Sequence, residues 1–139
     1  MRIPERVKAI VFTALVIASA ASLIVAAQAF RPSTPVLEHG IAVSLVIEAP
    51  GWTIRYESND TINNTVFAFL LEAAGRLDFV VGYSFWGPPY SAVFIDSING
   101  TRNSPSTGYW EFLVNNVYGS MAADLTAVND GDRIAWVFG

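Results

Sequence analysis

The sequence predicts an α+β domain in which one helix crosses one face of a mixed β-sheet. Apolar and polar residues alternate, as in half-buried strands, in two runs within residues 41–57 and in further runs after residue 77. Between them, about residues 65–74 repeat their apolar side chains at i, i+3, i+4 and i+7, the spacing of a helix with one buried face. The order β-β-α-β-β-β-β is that of a β-grasp, preceded here by an amino-terminal apolar helix.

The first two strands are expected to form a hairpin. Residues 41–47 and 52–57 both alternate in side-chain character, and Ala49-Pro50-Gly51 between them is a turn signal. Because the two runs are separated by so short a turn, the strands are expected to pair directly.

The helix that follows has signals at both ends. Asn64 or Thr65 is suited to the N-cap, and Gly75 is suited to the left-handed residue that ends a helix. Turn pairs are expected at Asn115-Asn116 and Asp130-Gly131. The later strands are predicted over Leu77–Ser84, Ala92–Ile98, Tyr109–Asn115 and Arg133–Phe138.

Composition excludes several kinds of function. The 139 residues are 53% hydrophobic and 14% charged, against about 25% charged in an average protein. The absence of cysteine removes disulfides, zinc–thiolate sites and thiol nucleophiles, and His39 is the only histidine. The net charge is −4, so the chain does not attract phosphate backbones and we expect no nucleic acid partner.

The amino terminus predicts export. Residues 9–30 are uncharged and follow three basic residues. They fit either a signal peptide cleaved at the small-residue site Ala27-Gln28-Ala29 or a retained anchor, since 22 helical residues span roughly 33 Å. Under either alternative the positive charges keep the start cytoplasmic and the rest extracytoplasmic. The expected organisation is a signal or anchor at 1–30, a Pro-containing linker at 31–40 and a folded domain at 41–139.

Three Asn-x-Thr sequons lie in the segment predicted to be exported. They begin at Asn59, Asn63 and Asn99, and they predict glycosylation of a secreted or surface protein. Ordinary loop chemistry is the alternative interpretation of each, because such short motifs also arise by chance.

Four segments together resemble a known family. They are Thr65-Val66-Phe67-Ala68-Phe69-Leu70, Ser97-Ile98-Asn99-Gly100-Thr101, Tyr109-Trp110-Glu111-Phe112-Leu113-Val114-Asn115 and Asn129-Asp130-Gly131-Asp132-Arg133-Ile134-Ala135-Trp136. In this order they resemble the transcobalamin-like C-terminal domain, a β-grasp module of vitamin B12 carriers and of exported microbial proteins of unknown function. The resemblance covers about residues 41–139.

The resemblance implies a binding module rather than a catalyst. In the vitamin carriers this domain closes over the upper face of cobalamin with the strand that starts at the Tyr-Trp pair, which implies an apolar contact at Phe112. A larger helical domain supplies the other half of that site, and this sequence has no counterpart of it. Cobalamin is therefore expected to be contacted at most in part, and no resident cofactor is expected.

Aromatic side chains are the candidate ligand contacts. Phe85-Trp86-Gly87-Pro88-Pro89-Tyr90 holds three rings in a predicted loop, where rigid aromatics suit ligand or partner contact. Tyr109 and Trp110 are adjacent, so one of them should face the core. Core packing, or a loop folded over the end of the core, is the alternative for these rings. The expected ligand-binding residues are Trp86, Tyr90, Tyr109, Trp110 and Phe112.

The polar residues do not form a recognisable catalytic or metal-binding pattern. Asn129, Asp130 and Asp132 lack the further ligands of an EF-hand, so they are interpreted as a turn. His39 has no nucleophile motif to serve, and Arg102 is interpreted as a solvated loop residue. Nothing in the spacing of the carboxylates Glu48, Glu57 and Asp96 selects an acid–base pair. We expect no enzyme and no metal site.

The sequence therefore predicts an exported or membrane-tethered binding module that contacts a small apolar or ring-shaped ligand through aromatic residues. The alternative is a structural or adhesion protein of the cell surface, which uses the aromatic loop or a sheet edge to contact another protein. Residues 9–30 would contact the membrane if they are not cleaved.

Overall fold

The computed structural model describes residues 39–139, so the apolar segment at 9–30 and most of the predicted linker lie outside the described residues. Among residues 39–139, no helix is both long and apolar enough to cross a bilayer. One helix, α1, spans Val66–Leu77. The strands are β1 Ile41–Ala49, β2 Trp52–Thr61, β3 Val81–Trp86, β4 Ala92–Ile98, β5 Thr101–Arg102, β6 Trp110–Val114, β7 Val117–Tyr118 and β8 Arg133–Phe138.

The larger sheet is mixed and contains five strands in the order β2-β1-β8-β6-β7. The first and last strands, β1 and β8, lie side by side and parallel, whereas β1–β2, β6–β8 and β6–β7 are antiparallel. The prediction of an α+β domain with one helix and a mixed sheet is confirmed in outline: the domain is mostly β-sheet with one short helix, and the arrangement is consistent with a sandwich or grasp-like fold.

The expectation of one continuous sheet is wrong, because β3, β4 and β5 form a separate three-stranded sheet in that order. Side chains form hydrogen bonds with backbone amide and carbonyl groups of β4 that would otherwise be free to pair with a further strand. Asn103 donates its Nδ2 to the carbonyl of Ile95 at 2.7 Å, and the Asp124 carboxylate accepts the amide of Val93 at 3.1 Å. The predicted strand at 77–84 also begins later, at Val81, and continues to Trp86.

The β1–β2 hairpin forms as predicted. Ala49 pairs with Trp52 across a two-residue turn. Gly51 in that turn has a φ of +88°, which glycine adopts without steric cost. Along β2 every second residue is half-buried from Trp52 to Tyr56, and the intervening residues are exposed.

Helix α1 begins as predicted and ends later than predicted. Thr65 is the N-cap, and its Oγ1 accepts the amide of Ala68 at 3.1 Å. The prediction that Gly75 ends the helix is wrong, because the helix continues to Leu77 and Asp78 is the residue in the left-handed conformation. A Cβ added at Gly75 would meet no other atom, so no contact requires glycine there. Its backbone freedom in the unfolded chain weakens the helix without terminating it.

The core lies between the helix and the sheets. The predicted helix face is buried, and the central strands β1 and β8 contribute alternate residues to the same cluster. Its largest fully buried side chains are Phe69, Ile47, Leu70, Ile98, Ile134 and Val66.

Candidate functional site

An apolar groove of about 530 Å³ opens beside strand β6. Its lining comes from β4, from the start of β6 and the loop before it, from β8, and from the end of β7 with the irregular segment after it. The residues are Val93, Phe94, Ile95, Asn103, Tyr109, Trp110, Glu111, Phe112, Tyr118, Gly119, Ser120, Met121, Ala122, Ala123 and Trp136. This groove is the candidate functional site, because a concave and largely apolar surface of this size is typical of small-molecule sites.

The predicted ligand contacts Tyr109, Trp110 and Phe112 lie at and just before β6, and they differ in exposure. Neighbours in a strand point to opposite faces, so Trp110 and Phe112 share one face of β6, while Tyr109 lies just before the strand begins. Trp110 is 8% exposed, and its Nε1 donates to the carbonyl of Thr101 at 2.9 Å. Tyr109 is 51% exposed. Trp110 is therefore a structural wall of the groove, whereas Tyr109 is open to solvent.

Phe112 is the half-buried ring in the groove. Its centroid lies 5.2 Å from that of Trp136, in a tilted arrangement. Its carbonyl accepts the amide of Gly119 at 3.0 Å, and the ring packs so closely on Gly119 that a Cβ there would overlap it. The missing side chain at Gly119 thus fixes where the Phe112 ring can lie.

Trp136, which lines the groove, also holds a buried polar atom that has no partner in the part of the chain that the structure describes. The residue is 2% exposed, and its indole Nε1 has no hydrogen-bond acceptor among residues 39–139. An unsatisfied buried donor costs about 1–3 kcal/mol. By contrast, the indole of Trp110 in the same wall is satisfied, so the two tryptophans differ in chemistry despite similar burial.

The prediction that Phe85, Trp86 and Tyr90 share a loop is wrong for the first two rings, because Phe85 and Trp86 pair with β4 as the end of strand β3 and only Tyr90 lies in the loop. Trp86 and Tyr90 nevertheless adjoin the groove. Trp86 and Tyr90 are 50% and 61% exposed and form a cluster with Phe94. The ring centroids of Trp86 and Phe94 are 4.5 Å apart, and those of Tyr90 and Phe94 are 6.3 Å apart. Because Phe94 also lines the groove, the cluster continues the groove's aromatic surface.

Of the five predicted ligand-binding residues, Tyr109, Trp110 and Phe112 line the groove, and Trp86 and Tyr90 contact its rim through Phe94. Sequence reasoning missed four large residues of the lining: Phe94, Tyr118, Met121 and Trp136. Phe94 and Trp136 lie in predicted strands, so alternation was the available signal for them. Tyr118 and Met121 lie in or after a two-residue strand that has no periodic pattern.

A second recess, of about 880 Å³, is larger but polar, and it lies between the end of β2 and helix α1. Its centre is the half-buried Glu72. Oε1 of Glu72 accepts the hydroxyl of Tyr56 at 2.7 Å, and Oε2 accepts Nδ2 of Asn63 at 2.7 Å and the hydroxyl of Thr61. Thr61 is 3% exposed and also accepts the amide of Asn63. These groups satisfy one another's hydrogen-bonding capacity, so the recess stabilises the fold and leaves few of these polar atoms free to bind a ligand.

The hydrogen bonds at Glu72 also decide its ionisation. Burial by itself would raise the pKa of this carboxyl, but the hydrogen bonds from Thr61, Asn63 and Tyr56, with the nearby Arg76 guanidinium, outweigh it and lower the pKa below its usual value. Burial, followed by the hydrogen bond to Glu72, raises the pKa of Tyr56. Glu72 is therefore ionised and Tyr56 protonated at neutral pH.

The carboxylates of the terminal turn bond both to the turn and to neighbouring segments, since Asp130 bonds to β1 and Asp132 also accepts the side-chain amide of Asn115. Oδ1 of Asp130 accepts the amide of Ala42 at 2.7 Å, and Oδ2 of Asp132 accepts the amide of Asn129 at 2.8 Å. Nowhere in residues 39–139 do three His, Cys, Asp or Glu side chains gather in a way that could hold a metal ion.

The remaining candidates lie away from the groove. His39 and Arg102 are exposed, and neither lines the groove. Among the sequons, Asn59 and Asn99 are exposed, whereas the amide of Asn63 is bonded to Glu72.

Comparison with known proteins places the chain in a family. Residues 63–139, more than half of the chain, match the family described as "Domain of unknown function (DUF4430)". Among curated proteins, none matches the sequence. Seventeen solved chains match in structure.

Two of these solved structures share the fold at low sequence identity. A protein from Ruminococcus gnavus, to which metal binding has been provisionally ascribed, aligns with a TM-score of 0.55 and 17% identity over 71% of this chain and 96% of its own. Haptocorrin in complex with Cbi aligns with a TM-score of 0.57 and 18% identity over 70% of this chain, although the match spans only 25% of haptocorrin. The chain belongs to the DUF4430 family.

Proposed function

We propose that this chain is a non-catalytic binding module whose apolar groove takes a small, ring-shaped, uncharged ligand. The single observation that carries the proposal is the groove itself, which brings predicted aromatic contacts and additional rings into one concave surface of about 530 Å³. Ligand sites typically occupy roughly 300–1,000 Å³ and are lined mainly by apolar and aromatic side chains.

The electrostatics of the groove favour an uncharged ligand. Within the part of the chain that the structure describes, Glu111 is the only charged residue of the lining. It alternates with the half-buried Phe112 along β6 and is exposed, so its charge is solvated rather than buried in the groove. Among the described residues no arginine lines the groove to neutralise an anion, and burying an unpaired charge in apolar surroundings is strongly unfavourable.

The fold shared with part of haptocorrin supports corrinoids as the first ligands to test. On this proposal the chain is a transcobalamin-like β-grasp module, and it contacts one face of a flat ring through Phe112 and its neighbours. The match spans a quarter of haptocorrin, so the rest of that protein's activity is not transferred. A second protein is expected to supply any missing half of the site.

Equilibrium dialysis of the full chain against dicyanocobinamide and riboflavin, two uncharged ring systems, tests this function. We expect binding of at least one probe, weakened about tenfold or more by Phe112→Ala, which removes a central ring. The matched control is Phe85→Ala, since Phe85 is 66% exposed and does not line the groove. Binding of neither probe, or equal losses in the two variants, would contradict the proposal.

A contact with another protein is the second candidate, and the exposure of Trp86 and Tyr90 favours it. If the chain instead contacts another protein, it is a structural or adhesion protein. In that case Trp86→Ala would abolish cell-surface adherence, whereas Phe112→Ala would preserve it. Loss of ligand binding in Phe112→Ala, with adherence unchanged in Trp86→Ala, would favour the ligand groove.

We also propose that the domain lies outside the cytoplasm. This rests on the basic start and on the uncharged residues 9–30. Protease treatment of intact cells should remove an epitope placed after Gly139, and the intact mass of the purified chain should show whether the first 29 residues are present. Protection of the epitope in intact cells but not in lysed cells would refute the location.

A further inference from the structure

Strand β3 is an unprotected sheet edge, and we propose that it pairs antiparallel with β3 of a second copy of this chain. The two sheets of residues 39–139 have four edge strands, namely β2, β7, β3 and β5. An edge strand presents unpaired backbone groups, and soluble proteins usually protect such edges with charge, proline or short strands.

The other three edges are protected in these ways. Strand β2 exposes the charged side chains of Arg55, Glu57 and Asp60. Strands β5 and β7 are only two residues long. In contrast, β3 spans six residues and contains neither charge nor proline. Its one irregularity, between Gly82 and Tyr83, leaves Tyr83 to Trp86 in regular register with β4.

The residues of β3 favour a second copy of the same strand. A twofold axis perpendicular to the sheet and passing at Ser84 places Ser84 opposite Ser84 of the second copy, and Tyr83 opposite its Phe85. This register is allowed because Tyr83 and Phe85 lie on the same face of their strand. Tyr83 and Phe85 are 51% and 66% exposed. The paired arrangement buries two symmetric aromatic pairs, each of which favours sheet pairing.

The charge distribution is compatible with this contact. The sequence has no charged residue between Asp78 and Asp96, so the two paired β3 strands (the seam) bring no like charges together. The four arginines and ten carboxylates of residues 39–139 give the domain a net charge of −6, but these charges lie outside the seam, where salt screens them beyond about 8 Å.

The exposed area predicts a weak dimer. An aromatic side chain offers roughly 150–250 Å², so the exposed parts of the rings on and next to β3 amount to about 500 Å² per copy. A standard interface uses about 800 Å² per partner. The dissociation constant is therefore expected at about 1–100 μM, the range of transient contacts.

A cysteine placed on the twofold axis tests the register directly, because the chain contains no other cysteine. The full chain is purified in mild detergent and oxidised as Ser84→Cys and, as the control on the protected edge β2, as Ser58→Cys. We expect a disulfide-linked dimer of Ser84→Cys, at least tenfold more abundant than that of Ser58→Cys. Both serines are half-buried on edge strands, which makes the comparison a matched one.

A second pair of variants tests the same edge without cysteine. Phe85→Lys adds a charge to β3 and should return the full chain to a monomer by sedimentation velocity at 100 μM. Val117→Lys, on the equally exposed but short β7, should leave the dimer intact. Equal cross-linking of the two cysteine variants, cross-linking of neither, or a wild-type chain that is monomeric at this concentration would overturn the proposal.

Discussion

Removal of the Glu72 carboxylate should destabilise the domain more than the loss of any other acidic side chain that lines the polar recess. Glu72 accepts three hydrogen bonds, which join helix α1 to the end of β2. In Glu72→Ala all three are lost, and the hydroxyl of Thr61, which is 3% exposed, loses its acceptor. This substitution tests the interpretation that Glu72 stabilises the fold rather than binding a ligand.

The expected magnitude follows from the geometry. Hydrogen bonds to charged groups contribute about 1.5–3 kcal/mol each when buried, and an unsatisfied buried hydroxyl costs about 1–3 kcal/mol. Because Glu72 is only half-buried, water replaces part of this loss, and we expect Glu72→Ala to lower the free energy of unfolding by about 3 kcal/mol. Glu72→Gln keeps the shape and most of the bonds, so about 1 kcal/mol is expected.

Urea unfolding of the full chain, followed by tryptophan fluorescence, measures these changes. With a slope of about 1–3 kcal/mol per molar urea, Glu72→Ala should lower the midpoint by roughly 1–3 M. The matched control is Glu57→Ala, an exposed carboxylate in the lining of the same recess, which should change the free energy by less than about 0.5 kcal/mol. Equal effects of the two alanine variants would refute the reasoning.

The pH dependence provides an independent check. Since the folded-state pKa of Glu72 is lowered, its ionisation stabilises the fold above the unfolded pKa of about 4.3, and this contribution is lost as the pH falls through the lower folded value. The difference in stability between wild type and Glu72→Gln should therefore be constant from pH 8 to pH 5 and shrink below about pH 4. A difference that is unchanged at pH 3 would contradict the assignment.

Further predictions concern the groove and the helix. Gly119→Ala places a Cβ against the Phe112 ring, so it should cost about 1–3 kcal/mol and weaken probe binding in dialysis. Gly75→Ala, where a Cβ meets nothing, should instead raise the melting temperature, equivalent to about 0.5–1 kcal/mol. Trp110→Phe should cost about 1 kcal/mol more than Trp136→Phe in urea unfolding, because only the Trp110 indole donates a hydrogen bond. Equal costs for the two tryptophans would show that the Trp136 indole also has a partner.

The parts of the fold that depend on neighbours in sequence could be predicted. Alternation located the β1–β2 hairpin, and the helical period located the buried face of α1 and its N-cap at Thr65. The end of the helix could not be predicted from Gly75, because Asp78 is able to adopt the left-handed conformation instead. Local propensity allows either residue, and the surrounding structure decides.

The division into two sheets depends on contacts between distant residues. Asp124 reaches Val93 across 31 positions, and no pattern in the sequence marks this bond. The same holds for the groove, since six of its fifteen lining residues lie at 118–123, at the end of the two-residue strand β7 and in the irregular stretch after it. Sequence reasoning identified aromatic residues as candidates, but their arrangement around one groove required the structure.

The most direct test of the central claim uses the four tryptophans as reporters. In the ¹⁹F NMR spectrum of the full chain labelled with 5-fluorotryptophan, Trp110 and Trp136 report on the groove and Trp86 on the adjoining aromatic cluster. Trp52, in β2, packs against the core with its ring centroid 5.9 Å from that of Trp110, and it does not line the groove. Titration with dicyanocobinamide should shift the Trp136 and Trp110 resonances most and that of Trp52 least. Shifts confined to Trp52, or no shift at saturating probe, would contradict ligand binding in the groove.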